Sequence, residues 1–255
     1  MKKLLAVIVI VLAGCATQQP PPKYQLDKQA NRAAIESGRK VEVFYHADDF
    51  TVVDLGGSQS ANVLGILGPI GTLIGLATHA AHKLDAPARA QRRSEEFSKQ
   101  IADNMPDQSM NRDFARKLGD LLEKDGREVK LTQVKRPSGN ADLALSKSED
   151  MIATEGYMQL MLRLTVGYGA TSATDSFKPV TIIEYALKDP AGKALMSRSF
   201  TRIYGEADKT YLSYPGLLED YKGAREELAG RLNYWNEPLY TEIFRFSDAD
   251  SVAVK

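Results

Sequence analysis

The chain has 255 residues, 43% hydrophobic and 26% charged, which fits a globular domain and excludes wholesale disorder. Thirty-three basic and 33 acidic side chains cancel, whereas a dedicated nucleic-acid binder carries a basic excess. A single cysteine excludes an intramolecular disulfide framework and any cysteine-based zinc site.

The N-terminus starts with Lys2 and Lys3, continues with an apolar run from Leu4 to Leu12, and closes on Ala13, Gly14 and Cys15. A basic start, a short apolar core and small residues at the end compose a secretory signal peptide. The apolar core is about half the ~20 residues a spanning helix needs. Leu12-Ala13-Gly14-Cys15 resembles the lipobox of bacterial lipoproteins. That resemblance implies cleavage before Cys15, a diacylglycerol on its thiol and an acyl group on the new amine. No other cofactor is implied. Several acyl chains, at about 0.8 kcal/mol per buried methylene, make a lasting anchor. Ala16 stands where inner-membrane retention places an aspartate, so the resemblance implies the periplasmic leaflet of the outer membrane. Pro20, Pro21 and Pro22 then favour an extended tether.

Residues 24–37 read as a short helix or more tether. Val41, Val43 and Tyr45 alternate with Lys40, Glu42 and Phe44, the period of a strand. His46 to Asp49 reads as a turn, and Phe50 to Leu55 as a second strand or the continuation of the first. Between Leu55 and His82 no residue is charged, and Gly65, Gly68, Gly71 and Gly75 recur at helical spacing. This predicts a glycine-rich apolar helix from about Gly68 to His82 that either docks on the domain, the preferred reading, or inserts into lipid.

Phe97, Ile101 and Met105 form a thin stripe on a charged helix that ends before Pro106. Ser109 is placed to cap a further helix with the stripe Phe114, Leu118, Leu121 and Leu122, and Gly126 to stop it. Val129 to Val134 reads as a strand. Met158, Leu160, Leu162, Leu164 and Val166 alternate with Gln159, Met161, Arg163 and Thr165, predicting one buried and one mostly wet face. Val180–Leu187 and Ala194–Tyr204 follow as strands of a meander, joined by a hairpin loop holding Pro190 and Gly192. Leu217 to Trp235 carries a helical stripe, Leu239–Phe246 is open between strand and helix, and the end is a tail.

The predicted fold class is α+β: an antiparallel or mixed sheet of about four to five strands with helices on one face, plus the glycine-rich helix. The organisation reads as signal peptide 1–14, lipid-anchored tether 15–38, one periplasmic domain 39–247 and tail 248–255. The element order is similar to the periplasmic domains of outer-membrane lipoproteins, including the curli-secretion lipoprotein and activators of penicillin-binding proteins. The run from Gly68 to Gly75 feeding a charged helix, followed by a late strand around Phe200, resembles a layout of bacterial lipoproteins with no established activity.

Motifs for chemistry are sparse. His79 and His82 lie three apart on the glycine-rich helix but lack the third ligand zinc requires. Gly56-Gly57-Ser58-Gln59-Ser60 misses the second glycine of a nucleophile elbow. Gly167-Tyr168-Gly169 and Gly192-Lys193 are incomplete as dinucleotide or phosphate loops. Asp48 and Asp49 suit either a turn or a cation, with the turn preferred. Tyr204, Tyr211, Tyr214 and Tyr221 cluster around one loop, as core anchors by preference or as a partly wet interaction surface. The sequence therefore reads as a non-catalytic outer-membrane lipoprotein that binds an envelope protein partner. The alternatives are an oligomeric membrane-associated or secretion component using the glycine-rich segment, and an envelope hydrolase.

Overall fold

The structure is a computed structural model, and it describes residues 23–54, 85–137, 143–144, 150–170, 174–205 and 209–246. The signal peptide, Cys15, the glycine-rich segment and the C-terminal tail lie outside these residues. The stretch 24–37, open between helix and tether, lies in α1 (Lys23–Ala30) and α2 (Arg32–Ser37), with Ile35 buried in the main core.

Six strands build one mixed sheet: β1 (Lys40–His46), β2 (Phe50–Asp54), β3 (Glu128–Val134), β4 (Met158–Ala170), β5 (Lys178–Lys188) and β6 (Ala194–Ile203). Their order is β3-β1-β4-β5-β6, with β2 paired to β4 beyond the end of β1. β1 is parallel to both β3 and β4, whereas β4, β5 and β6 form the predicted antiparallel meander. Of the two readings of Phe50 to Leu55, the continuation holds: β1 and β2 run one after the other along β4, Phe44 opposite Met161 and Phe50 opposite Val166. Between these pairs the stretch from β1 to β2 holds one residue more than β4, the signature of a bulge. Gly167 lets β2 close on β4, because a Cβ there would lie 1.8 Å from the Thr51 carbonyl oxygen.

The main core fills the space between one sheet face and the helices α3 (Asp85–Asn104), α4 (Met110–Lys124) and α6 (Tyr221–Asn233). Val41, Val43, Leu160, Leu162, Leu164 and Ile183 meet Phe97, Phe114, Leu118 and Leu228 there. Ser109 caps α4 through Arg112 N–H (3.3 Å), and Gly126, with φ of +79°, turns the chain from α4 into β3. The predicted 217–235 helix is divided into α5 (Tyr214–Glu219) and α6, and the undecided last stretch is helix α7 (Asn236–Phe244).

One expectation is overturned. The second face of β4 is not wet: Gln159, Met161, Arg163 and Thr165 are all buried. Polarity alone predicts a wet face, but Arg163 stands directly opposite Glu184 of β5, and the pair removes each other's need for water.

Candidate functional site

Cys15, His79, His82 and the Gly56–Ser60 stretch lie outside the described residues. The tyrosines are in view. Tyr204, Tyr211 and Tyr214 are buried, and Tyr221 packs half-buried against the core. Each buried ring uses its hydroxyl: Tyr204 accepts from Trp235 Nε1 (3.1 Å), Tyr211 donates to Asp220 (2.8 Å) and Tyr214 donates to Glu96 (2.8 Å). Burial pushes the Tyr211 and Tyr214 hydroxyls well above the usual phenol range, with the carboxylates adding to it. These rings pin the loop before α5 onto α3 and the sheet, the anchoring role preferred from the sequence.

A second constellation had no motif to announce it. It centres on His46, at the end of β1, where the ladder with β4 breaks. Leu164 N–H of β4 donates to the His46 Nε2 (3.0 Å), and Arg136 Nη1 donates to the Leu164 carbonyl (3.0 Å). An imidazole and a guanidinium thus bond the two backbone groups that the bulge takes from the ladder. His46 Nδ1 lies 2.7 Å from the Ala47 carbonyl, so the two contacts together require the neutral Nδ1–H tautomer. Burial pushes the His46 pKa down to about 4, with the nearby Arg136 charge next in size.

The bulge also organises its surroundings. Asn111 Nδ2 donates to the carbonyls of His46 and Ala47 (both 3.2 Å). Asp48 accepts from Met110 N–H (2.7 Å), Asn111 N–H (2.9 Å) and the Ser109 hydroxyl (3.1 Å), completing the cap of α4. Asp49 sits 3.8 Å from Arg136. The acidic pair read as a turn or cation site is therefore divided between a helix cap and an ion pair. Below it, Arg163 Nε and Nη2 each lie 2.6 Å from a Glu184 oxygen, a buried fork.

Both nitrogens of His46 are engaged by backbone, Arg163 is locked to Glu184, and Arg136 bridges β4 and Asp49. The arrangement holds a bulge, two strands and a helix start in register. Among the described residues no group of three or more histidine, cysteine or acidic side chains is placed to hold a metal, and no helix is long and apolar enough to cross a membrane. The one sequence signal for the His46 centre was the strand pattern stopping at Tyr45 and resuming at Phe50 in the same sense. The residues completing it come from positions 111, 136, 163 and 184, and no local pattern connects these.

No protein-family model matches the chain, and no curated protein matches it.

Proposed function

We propose that the chain is a non-catalytic lipoprotein, anchored through Cys15 in the periplasmic leaflet of the outer membrane, whose α+β domain binds a protein partner in envelope assembly or maintenance. The observation that carries this reading is the N-terminal order: two lysines, an apolar core, Leu12-Ala13-Gly14, the only cysteine, and then three prolines before the first helix. Each part has its own physical role, and a cysteine placed by chance would not fall at the cleavage position. The internal bonding of the His46 centre agrees with a domain that presents a surface, since its polar groups spend their bonds on one another.

The anchor is tested by labelling cells with a fatty acid. Label should enter the wild-type chain and be absent from Cys15→Ser. Equal labelling of the two removes the reading. Crosslinking in intact envelopes then identifies the protein partner.

A further inference from the structure

The sheet has three borders, and the fold treats them differently. Along β2, α3 supplies side chains in place of a strand: Ser94 Oγ accepts from Val52 N–H (2.8 Å) and Ser98 Oγ from Phe50 N–H (3.1 Å). Along β6, α1 packs against the strand and Asn31 donates to the Leu195 carbonyl (2.8 Å). Covering edges in this way prevents strand addition.

β3 has no such cover among the described residues. Glu128 N–H donates to the Arg39 carbonyl (2.8 Å), so in the parallel ladder Glu128, Lys130, Thr132 and Val134 turn their backbone groups to β1. Val129, Leu131 and Gln133 turn theirs outward, where they meet no partner among the described residues. The charges that would guard such an edge are directed elsewhere. Lys130 Nζ lies 3.2 Å from the buried Glu42 carboxylate, and Glu128 is held by Lys40 (3.2 Å) and Tyr157. Apolar side chains stand on both sides of the bare edge. Leu131, on the α4 side, is 37% exposed. Ile152, 84% exposed, belongs to a segment fixed under β3 by Asp150 to Lys135 N–H and by Thr154 to Glu42.

We propose that β3 is a dimerisation edge, pairing antiparallel with β3 of a second copy about a two-fold axis at Leu131. The sequence of the strand selects the occupant and the register. With Leu131 opposite Leu131, Val129 faces Gln133, and all three outward residues of each copy are bonded, about six hydrogen bonds in total. On the other face Lys130 then opposes Thr132 and Glu128 opposes Val134, so no like charges meet. A shift of one pair in one direction sets Lys130 against Lys130, and in either direction leaves outward groups unbonded. The inference is independent of the lipid anchor: it concerns the domain alone, and either can fail without the other.

The test uses Leu131→Cys in the full chain in intact cells. Opposed residues at such a position lie about 5.5 Å apart at Cα, within the range a disulfide bridges. Mild oxidation should give a covalent dimer from Leu131→Cys and none from wild type or from Leu212→Cys, the latter at a more accessible site far from β3 in sequence. Gln133→Pro, which removes an outward N–H that no bond among the described residues uses, should abolish the crosslink in the Leu131→Cys background while leaving the far-ultraviolet spectrum unchanged. Sedimentation of the Cys15→Ser chain should give about twice the 28.1 kDa of one copy. A monomer at tens of micromolar together with no Leu131→Cys dimer overturns the proposal. So does a Leu131→Cys crosslink made only to a different protein, or a self-crosslink that survives Gln133→Pro in a folded chain.

Discussion

At the scale of single residues, the second face of β4 carries side chains whose cost of burial is met only in pairs. Leu162 and Arg163 are neighbours on opposite faces, both fully enclosed. Leu162→Ala should cost about 2–5 kcal/mol through lost transfer energy and a cavity. From the sequence, Arg163→Ala would cost far less. In the fold it strands the Glu184 carboxylate, a loss of about 3–5 kcal/mol, whereas Arg163→Met combined with Glu184→Leu should recover most of it. Urea midpoints of the single and double variants read the difference. His46 adds a dependence on pH. Its pKa stands near 4 in the fold and at the ordinary 6.5 once unfolded. Between those values the unfolded chain holds a proton that the folded chain lacks, so stability is complete above pH 6.5 and declines as pH falls through the window. The full decline is about 3 kcal/mol. Glu42, held below the ordinary carboxylate range by Thr132, Thr154 and Lys130 against its burial, has its effect at lower pH. Unfolding free energies at pH 7 and pH 5 should therefore differ in wild type and converge in His46→Gln.

At the scale of elements, what could be read in the sequence was whatever is local. Ser109 as a cap, Gly126 as a stop and the hairpin at Gly192 each depend on a few adjacent residues, and each is found. The meander was legible for the same reason, since β4, β5 and β6 are joined by short links. β1 was legible as a strand but not in its partners, which lie about 90 and 117 residues further on and run parallel to it. The face of Gln159, Met161, Arg163 and Thr165 is buried although polarity alone predicts it wet, because the partner that satisfies Arg163 is on another strand. Asp48 shows the same limit. Asp48-Asp49 reads as a turn, yet Asp48 bonds the first two amides of α4 from 62 and 63 positions away. Asp48→Ala should thus destabilise by about 1–2 kcal/mol, more than Ser109→Ala, since Asp48 satisfies two orphan amides and also faces the positive end of the helix. Thermal melts of the two variants decide it; equal losses would mean that the distant carboxylate adds little to the local cap.

At the scale of the whole molecule, the chain order and the spatial order of strands disagree, and this has a consequence for folding. β1 lies between β3 and β4, so neither of its ladders exists until residues beyond 128 have been placed. β2 depends on the far half of β4, and the main core needs α3 and α4 from the first half of the chain with α6 from the second. The meander and its C-terminal helices likewise lack half their core without Val41, Val43, Phe97 and Phe114. No contiguous half owns a complete core, so the described residues should unfold as one unit. Trp235, the only tryptophan, reports the β6 end: its ring sits 4.6 Å from that of Phe200, and its Nε1 donates to Tyr204. Far-ultraviolet dichroism reports the helices and sheet together. The two signals should follow a single urea transition with one midpoint, and His46→Gln, at the β1 bulge on another part of the sheet, should move both by the same amount. A tryptophan transition left in place while the dichroism shifts would mean that the meander with α5, α6 and α7 holds together without β1. The ladder from β1 to β4 would then be an addition to an already stable unit, and the bulge at His46 would guard the register of that addition alone.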